Sequence, residues 1–354
     1  MARILFWRFM RTGLAVWALA SVVFLLSHGD PDTTVRLQLP EATDLTAAHN
    51  TPAEQQAARL AMLHRLGLDL PLFYASRRPG LQRNSGDWQW HGSHNQYHRW
   101  MMALLRGDLG TSFRTGEPVS ASLRHALAYT LPLTGTAALL AVGAALMLAT
   151  RLAAGPWWQR PVRAVLVAVH SLPLFVVALA LLLLFANPDV LAWFPAYGLD
   201  QPTDGDPGMG SHLATYSLHL VLPVMALALT ALPELTLQLD AALAQELQTN
   251  YATTARAKGL SEDAVIRRHA LRNALLPTLT QIAELLPELV AGAVVVEVVF
   301  ALPGMGRLLA EAAAIRDYPL LVGGVLLTGA ARLLALLLAD VLYLWADPRI
   351  RWQV

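Results

Sequence analysis

No cysteine occurs in the 354 residues, which removes at one stroke a disulfide framework, a thiolate metal site and a thiol nucleophile. Lysine is nearly as scarce: Lys258 is the only one. Charged residues make up 14% of the chain against 55% hydrophobic ones. A soluble fold of this size does not normally hide so much apolar surface, so the chain is expected to be a membrane protein. Three catalytic signatures are missing as well. There is no G-x-x-x-x-G-K-[ST] phosphate loop, no G-x-S-x-G elbow and no H-E-x-x-H pair, so neither ATP binding by the phosphate-loop route nor hydrolase chemistry is expected. The formal net charge of +1 gives no reason to expect nucleic acid, because the arginines follow topology and are not gathered on one face.

What is present is a succession of apolar runs. The first ends near Ser27 and follows Arg3, Arg8 and Arg11. No A-x-A-like cleavage site follows it, so it reads as an uncleaved transmembrane helix. Further runs at 128–150, 162–186, 214–233, 277–299 and 319–345 each approach the roughly 20 residues that a helix needs to cross a bilayer core. Pro132, Pro173, Pro223 and Pro287 lie inside them, which membrane helices tolerate where neighbours satisfy the freed carbonyls. The expected fold class is therefore all-α: a polytopic membrane protein of six transmembrane helices with a helical extracytoplasmic insertion between the first two. Residues 1–27 form the tail and first span, 28–127 the insertion, and 128–354 the core with a cytoplasmic loop at 250–277.

Orientation follows from counting cations. With the N-terminus inside, the inner segments hold Arg3, Arg8 and Arg11; Arg151, Arg160 and Arg163; Arg256, Lys258, Arg267, Arg268 and Arg272; and Arg349 and Arg351. The short outer loops hold only Arg307 and Arg316. The long first loop is exempt, since long segments translocate regardless of charge. Both termini and the 250–277 loop are expected in the cytoplasm.

The outer insertion has local order of its own. Thr51-Pro52-Ala53-Glu54 is a capping box with proline at the first helical position, and Leu60, Leu63 and Leu66 run from it to a stop at Gly67. Trp88, Trp90, His91, His94, Tyr97, His98 and Trp100 crowd together further on. The three histidines invite comparison with a site for a soft divalent ion. Gly92 and Ser93 weaken a helix there and the spacing of a dedicated site is lacking, so no metal site is assigned and the aromatic residues are placed at the membrane interface or under a docked partner.

The loop from Asn250 to Pro277 is the longest basic interruption in the second half. It reads as a helix end, a break at Gly259-Leu260, and a second short helix. Ser261 caps that helix, Glu262 and Asp263 occupy its first turn, and Arg267, Arg268 and Arg272 lie toward its end, where the helix dipole favours cations. A solvated, cationic segment fixed between two hydrophobic spans suits a rigid docking knob.

The run Ala255-Arg256-Ala257-Lys258-Gly259-Leu260-Ser261, followed by Arg268-His269-Ala270-Leu271-Arg272-Asn273-Ala274, resembles the cytoplasmic EAA loop of ATP-binding-cassette (ABC) import permeases, and more closely that of the dipeptide, oligopeptide and nickel permease family. Thr253 and Thr254 stand where Glu and Ala are usual, and Pro277 falls late, as in the peptide branch. Other stretches resemble the same family: His28 to Pro31, Leu66 to Pro71, Arg106 to Ser112, His219 to Pro223, Val299 to Arg307 with Arg316 to Pro319, and Asp347 to Arg351. The resemblance implies an ABC type I importer-like permease subunit without enzymatic activity or cofactor. It implies that Ala255, Arg256, Ala257, Lys258, Gly259, Leu260 and Ser261 dock on one of two ATPase subunits, which hydrolyse the ATP. It also implies a second homologous permease, an extracytoplasmic substrate-binding protein and a place in the bacterial inner membrane. Peptides are the expected cargo, with nickel or another small solute as the alternative. A self-sufficient ion-coupled transporter is the competing class; no internal repeat supports it.

Charges inside the spans need a reason, since each costs about 2.5–3.5 kcal/mol at a helix centre. Glu284 and Glu288 lie one turn apart, and Glu288 and Arg332 stand at similar depth by counting. Either Glu288 pairs with Arg332, or Glu284 and Glu288 line the aqueous pathway and tolerate a peptide amine, or they meet a second permease. Glu297 falls on roughly the opposite face and reads as structural.

Overall fold

The structure, a computed structural model, describes residues 2–27, 60, 64, 69–77, 88–155, 157–195 and 209–346; within these, the side chains of 2–5, 209–215, 280, 283, 286–288, 291–292 and 338–346 lie outside the description. The expected helix from Thr51, the His28 to Pro31 stretch and the Asp347 to Arg351 stretch fall outside it too.

Long helices dominate. In chain order they are α1 (Ala2–Ser27), α2 (Gln96–Leu105), α3 (Val119–Ala153), α4 (Gln159–His170), α5 (Leu174–Phe185), α6 (Met209–Glu246), α7 (Asn250–Ala257), α8 (Glu262–Val265), a π-helical turn (Ile266–Ala270), α9 (Leu271–Val299), α10 (Met305–Ile315) and α11 (Tyr318–Ala346). Among the described residues, α1, α3, α6 and α11 are long and apolar enough to cross a membrane.

The run expected as one span at 162–186 is instead two helices, α4 and α5, bent by 104° at a short break. Pro173 is the cause. It has no N–H to donate into a continuing helix, its ring disfavours helical backbone at Leu172, and it sits at φ −59°, ψ 141° as the residue that opens α5. Counted as one, the pair makes a fifth crossing. The expected 277–299 span falls on α9, a 29-residue helix whose side chains are described only in part. That helix begins six residues before Pro277, so the proline lies within its second turn. The expectation of six crossings thus has four unbroken helices and one bent pair to set against it.

The chain divides into two compact units, one of Met1–Leu14, His125–Ala310 and Ala330–Val354, the other of Ala15–Arg124 and Glu311–Gly329. The core of the first is built from stripes at helical spacing. Leu133, Ala137, Ala141 and Ala145 are buried on α3, Ala178 and Leu182 on α5, Leu222, Ala226 and Leu227 on α6, and Leu285, Leu289, Ala293 and Val296 on α9. So many alanines at the seam let helix backbones approach closely, the packing mode available where lipid removes the hydrophobic drive between helices. The opposite sides carry Leu139, Leu140, Met147, Leu183 and Leu184, all exposed. Arg163 on α4 and Asp240 on α6 form a two-bond ion pair, Nε to Oδ2 at 2.7 Å and Nη2 to Oδ1 at 2.9 Å.

In the second unit Phe24 is fully buried, with Tyr97, Trp100 and Phe73 around it at ring separations of 5.2, 5.3 and 5.8 Å. The Tyr97 hydroxyl shares a 2.7 Å bond with Ser21. Asn95 caps α2 by accepting from the His98 N–H, while its own amide donates to the Gly92 carbonyl. One departure from an all-helical insertion is a small antiparallel pair, β1 (Ala75–Arg77) with β2 (Trp88–Trp90), in the register Ala75 to Trp90, Ser76 to Gln89 and Arg77 to Trp88. Aromatic Trp88 and Trp90 favour extended backbone, and alternation over three residues is too short a signal to read in advance.

Candidate functional site

The candidate site is the knob between α6 and α9. Helix α7 ends at Ala257 with Lys258 as its C-cap, and Gly259 adopts φ +83°, the left-handed conformation that side chains with a Cβ resist. The Leu260 N–H then bonds the Ala255 carbonyl at 3.3 Å and the Gly259 N–H bonds the Arg256 carbonyl at 2.9 Å. This pair of bonds is a Schellman closure and satisfies the last carbonyls of α7. Ser261 opens α8 in extended backbone, its hydroxyl accepting from the Ala264 N–H. The expected second helix is four residues of α-helix that pass straight into the π-helical turn and on into α9. The knob is thus continuous with a long helix on one side.

Arg256 holds the knob together. Its Nε and Nη2 reach Glu262 at 2.7 and 3.3 Å, and its Nη1 donates to the Leu247 carbonyl at 3.0 Å, tying the end of α6 to both knob helices. The bond to Glu262 raises the guanidinium above its ordinary value. Tyr251 donates to Glu246, and burial followed by that bond pushes its phenol up. Beneath lie Ala252, Ala255 and Val265, buried against Leu247, Tyr251 and Leu260. A second cluster of Ile266, Ala270 and Ala274 packs on Ala149, Leu239 and Leu243.

Of the seven residues singled out in sequence, Ala255 is therefore buried and Arg256 is engaged internally, Leu260 is half-buried, and Ala257, Lys258, Gly259 and Ser261 are exposed. Arg268, His269 and Arg272 are exposed alongside. A rigid tip offering one lysine, a bare glycine backbone and a hydroxyl suits insertion into a cleft of another protein.

The intramembrane charges are less gathered. Glu284 and Arg332 are both exposed. The side chain of Glu288 lies outside the described residues, as does any pairing with Arg332. Glu297, by contrast, is fully buried. Its Oε1 accepts from the Thr130 hydroxyl at 2.6 Å, and its Oε2 from the Gly306 and Arg307 N–H groups at 2.6 and 3.1 Å. Thr130 Oγ1 accepts in turn from the Met305 N–H at 2.8 Å. Three amides that α10 leaves orphaned at its start are thereby satisfied. Gly304 and Gly306 make room: a Cβ on the first would fall into the Glu297 carboxylate, and on the second into the backbone of Val294.

In the second unit Asp317 opens α11 and is itself buried. It accepts from the Ser112 hydroxyl at 2.5 Å and from the Phe113 N–H at 3.3 Å. Two stretches noted separately in sequence, Arg106 to Ser112 and Arg316 to Pro319, thus meet across 205 positions. His91 and His98 are occupied by Ser76 and Tyr74, and among the described residues no group of three His, Cys, Asp or Glu side chains is placed to hold a metal ion.

Three polar contacts had no sequence signal strong enough to find them. The Arg163–Asp240 pair spans 77 positions, and Thr130 is one threonine among several in an apolar run. Glu234, which accepts from Gln281 Nε2 at 2.7 Å, stands just past the expected end of a span at 233, where a charge looks interfacial. Its position after Pro233, inside a helix that continues to Glu246, was the available clue.

Long apolar helices joined by a capped cationic knob define a polytopic helical membrane protein. Residues 123–352 match the family described as binding-protein-dependent transport system inner membrane component. The chain is 31% identical to the probable D,D-dipeptide transport system permease protein of Escherichia coli K12, over 98% of both chains. It is 36% identical to the di/tripeptide transport system permease protein of Pseudomonas aeruginosa UCBPP-PA14, over 82% of this chain and 84% of that one. To the oligopeptide transport system permease protein of Bacillus subtilis 168 it is 31% identical, over 73% and 80%. The chain belongs to the binding-protein-dependent transport permeases: it is a multi-pass inner-membrane component, and ATPase and binding-protein partners go with that membership.

Proposed function

We propose that this chain is one permease subunit of an ABC importer of di- and oligopeptides, and that the exposed tip Ala257 to Ser261 enters a cleft of an ATPase subunit. The observation that carries this reading is the knob itself, closed by Gly259 at φ +83° and by the Arg256–Glu262 pair, in a chain whose relatives named above are peptide permeases. Two ATPase copies and a second, homologous permease complete the assembly, and a binding protein delivers cargo to the outer face. Both termini and the knob lie in the cytoplasm, 28–127 lies outside, and 128–354 forms the permease core. The chain contributes the pathway, and its partners hydrolyse ATP.

Purification of the tagged chain from its native membrane, as wild type and as Gly259→Asp, tests the assignment. Two ATPase copies are expected with the wild type and none with the variant, together with uptake of labelled trialanine by wild-type cells only. Recovery of the chain alone in both would refute ATPase docking. Absence of peptide uptake by an intact assembly would refute the cargo.

A further inference from the structure

Helices α5, α6 and α9 border a cavity of about 190 Å³ in the first unit. Most of its wall is leucine: Leu174, Leu227, Leu235, Leu285 and Leu289. One side is polar, with Thr230, Glu234 and Gln281. Their hydrogen bonding is one-sided. One N–H of Gln281 Nε2 goes to Glu234 at 2.7 Å, and the buried Gln281 Oε1 receives no donor. The Thr230 hydroxyl gives its single proton back to the α6 carbonyls of Ala226 and Leu227, which leaves only acceptor capacity toward the cavity. Among the described residues no cation pairs with Glu234.

A carboxylate, an amide oxygen and a hydroxyl oxygen leave acceptors in excess at this wall, which asks for a ligand that brings several N–H donors and a positive charge. An uncompensated charge within a membrane helix is a functional feature far more often than a structural one, and a buried acceptor left without a donor calls for a partner. Glu284, three residues beyond Gln281 on α9 and exposed, adds negative charge on the same helix.

We propose that this cavity is a transient binding site for the ammonium group at the amino terminus of a peptide in transit, with Glu234 supplying the charge and the leucine wall receiving the first side chain. The inference rests on the peptide-import reading above. Placement supports it further. Glu234 precedes the start of the knob at Asn250 by sixteen positions and Gln281 follows Pro277 by four, so the two helices joined by the knob carry the acid and the amide of the cavity. A movement of the knob shifts both walls and releases what they hold.

The test uses the assembled permease–ATPase complex without the binding protein, so that only the permease can select. Equilibrium binding of labelled trialanine is competed with unlabelled trialanine and with N-acetyl-trialanine. The wild type is expected to prefer the free amine at least tenfold. Glu234→Gln should bind trialanine about tenfold more weakly and lose that preference, whereas Glu234→Asp should retain most of both. Equal competition by the acetylated peptide, or unchanged binding in Glu234→Gln, overturns the proposal. If Glu234→Gln does not assemble, the amine preference of the wild type still decides. Failure is distinguishable from failure of the underlying reading: a complete importer that takes up trialanine without any amine preference at the permease sinks only the cavity, whereas one that takes up no peptide sinks both.

Discussion

Glu297 accepts three hydrogen bonds in a space that excludes water, so its worth is set by what its loss would strand. Glu297→Ala takes the acceptor from the Gly306 and Arg307 amides, while the Thr130 hydroxyl keeps the Ala126 carbonyl, and each orphaned amide costs about 1–3 kcal/mol. The expected outcome is a loss of about 3 kcal/mol or more in detergent unfolding, with Glu297→Gln milder because it keeps one acceptor. Gly304→Ala should reproduce most of that loss, since its methyl displaces the same carboxylate. At Gly259 the expectation is finer. A Cβ at φ +83° costs about 1–2 kcal/mol, so Gly259→Ala should lower the ATPase activity coupled to uptake, while Gly259→Asn, which tolerates that conformation better, should lie between alanine and wild type. Equal activities for all three would mean that the backbone turn is not what the partner reads. Gly259 and Ser261 were legible in sequence because glycine after a helix and serine before one have few other meanings. Arg256 was legible only as a cation. That it is spent on Glu262 and Leu247 follows from a chain reversal whose angle no local pattern encodes.

Between the knob and α9 the backbone takes a π-helical turn at Ile266–Ala270, with the Leu271 N–H bonded to the Ile266 carbonyl. Such turns carry one residue more than α-helix needs and are frequent at functional positions. Deleting His269, whose side chain is exposed, should convert the turn to α-helix and rotate the knob against α9 by about 100°. The chain should still insert and purify, and uptake should fall to background; uptake at half the wild-type rate or better would show that the register of this turn is dispensable. The Arg163–Asp240 pair acts at the same scale by pinning α4 to α6. Asp240→Asn takes the neutralising carboxylate away from a guanidinium that is partly shielded, and about 1–3 kcal/mol of stability should go with it, measurable as a lower midpoint in detergent; an unchanged midpoint would make the pin ornamental. Long apolar elements were readable from sequence because lipid imposes one simple demand on each of them. The bend at Pro173 was not, because proline inside a membrane helix is commonly tolerated, and whether it kinks or breaks depends on neighbours elsewhere in the chain.

For the molecule as a whole, the missing cysteines become an experimental advantage. A single cysteine placed at Trp88 or at Lys258 is the only thiol in the chain, and both positions are exposed. A membrane-impermeant maleimide applied to spheroplasts is expected to label Trp88→Cys directly and Lys258→Cys only after the membrane is opened. The reverse pattern would invert the topology and place the knob where no ATPase is found. The pin at Asp240 has a mechanical meaning at this scale. Helix α6 runs 38 residues without a break, and Asp240 divides it unequally: at 1.5 Å per residue, about 9 Å lies toward Glu246 and about 46 Å toward Met209. If the rod turns on that pin, it is a lever of roughly five to one. A displacement of 1 Å at the knob end would then sweep the far end through about 5 Å, so that a small stroke at one end of the rod becomes a large one at the other.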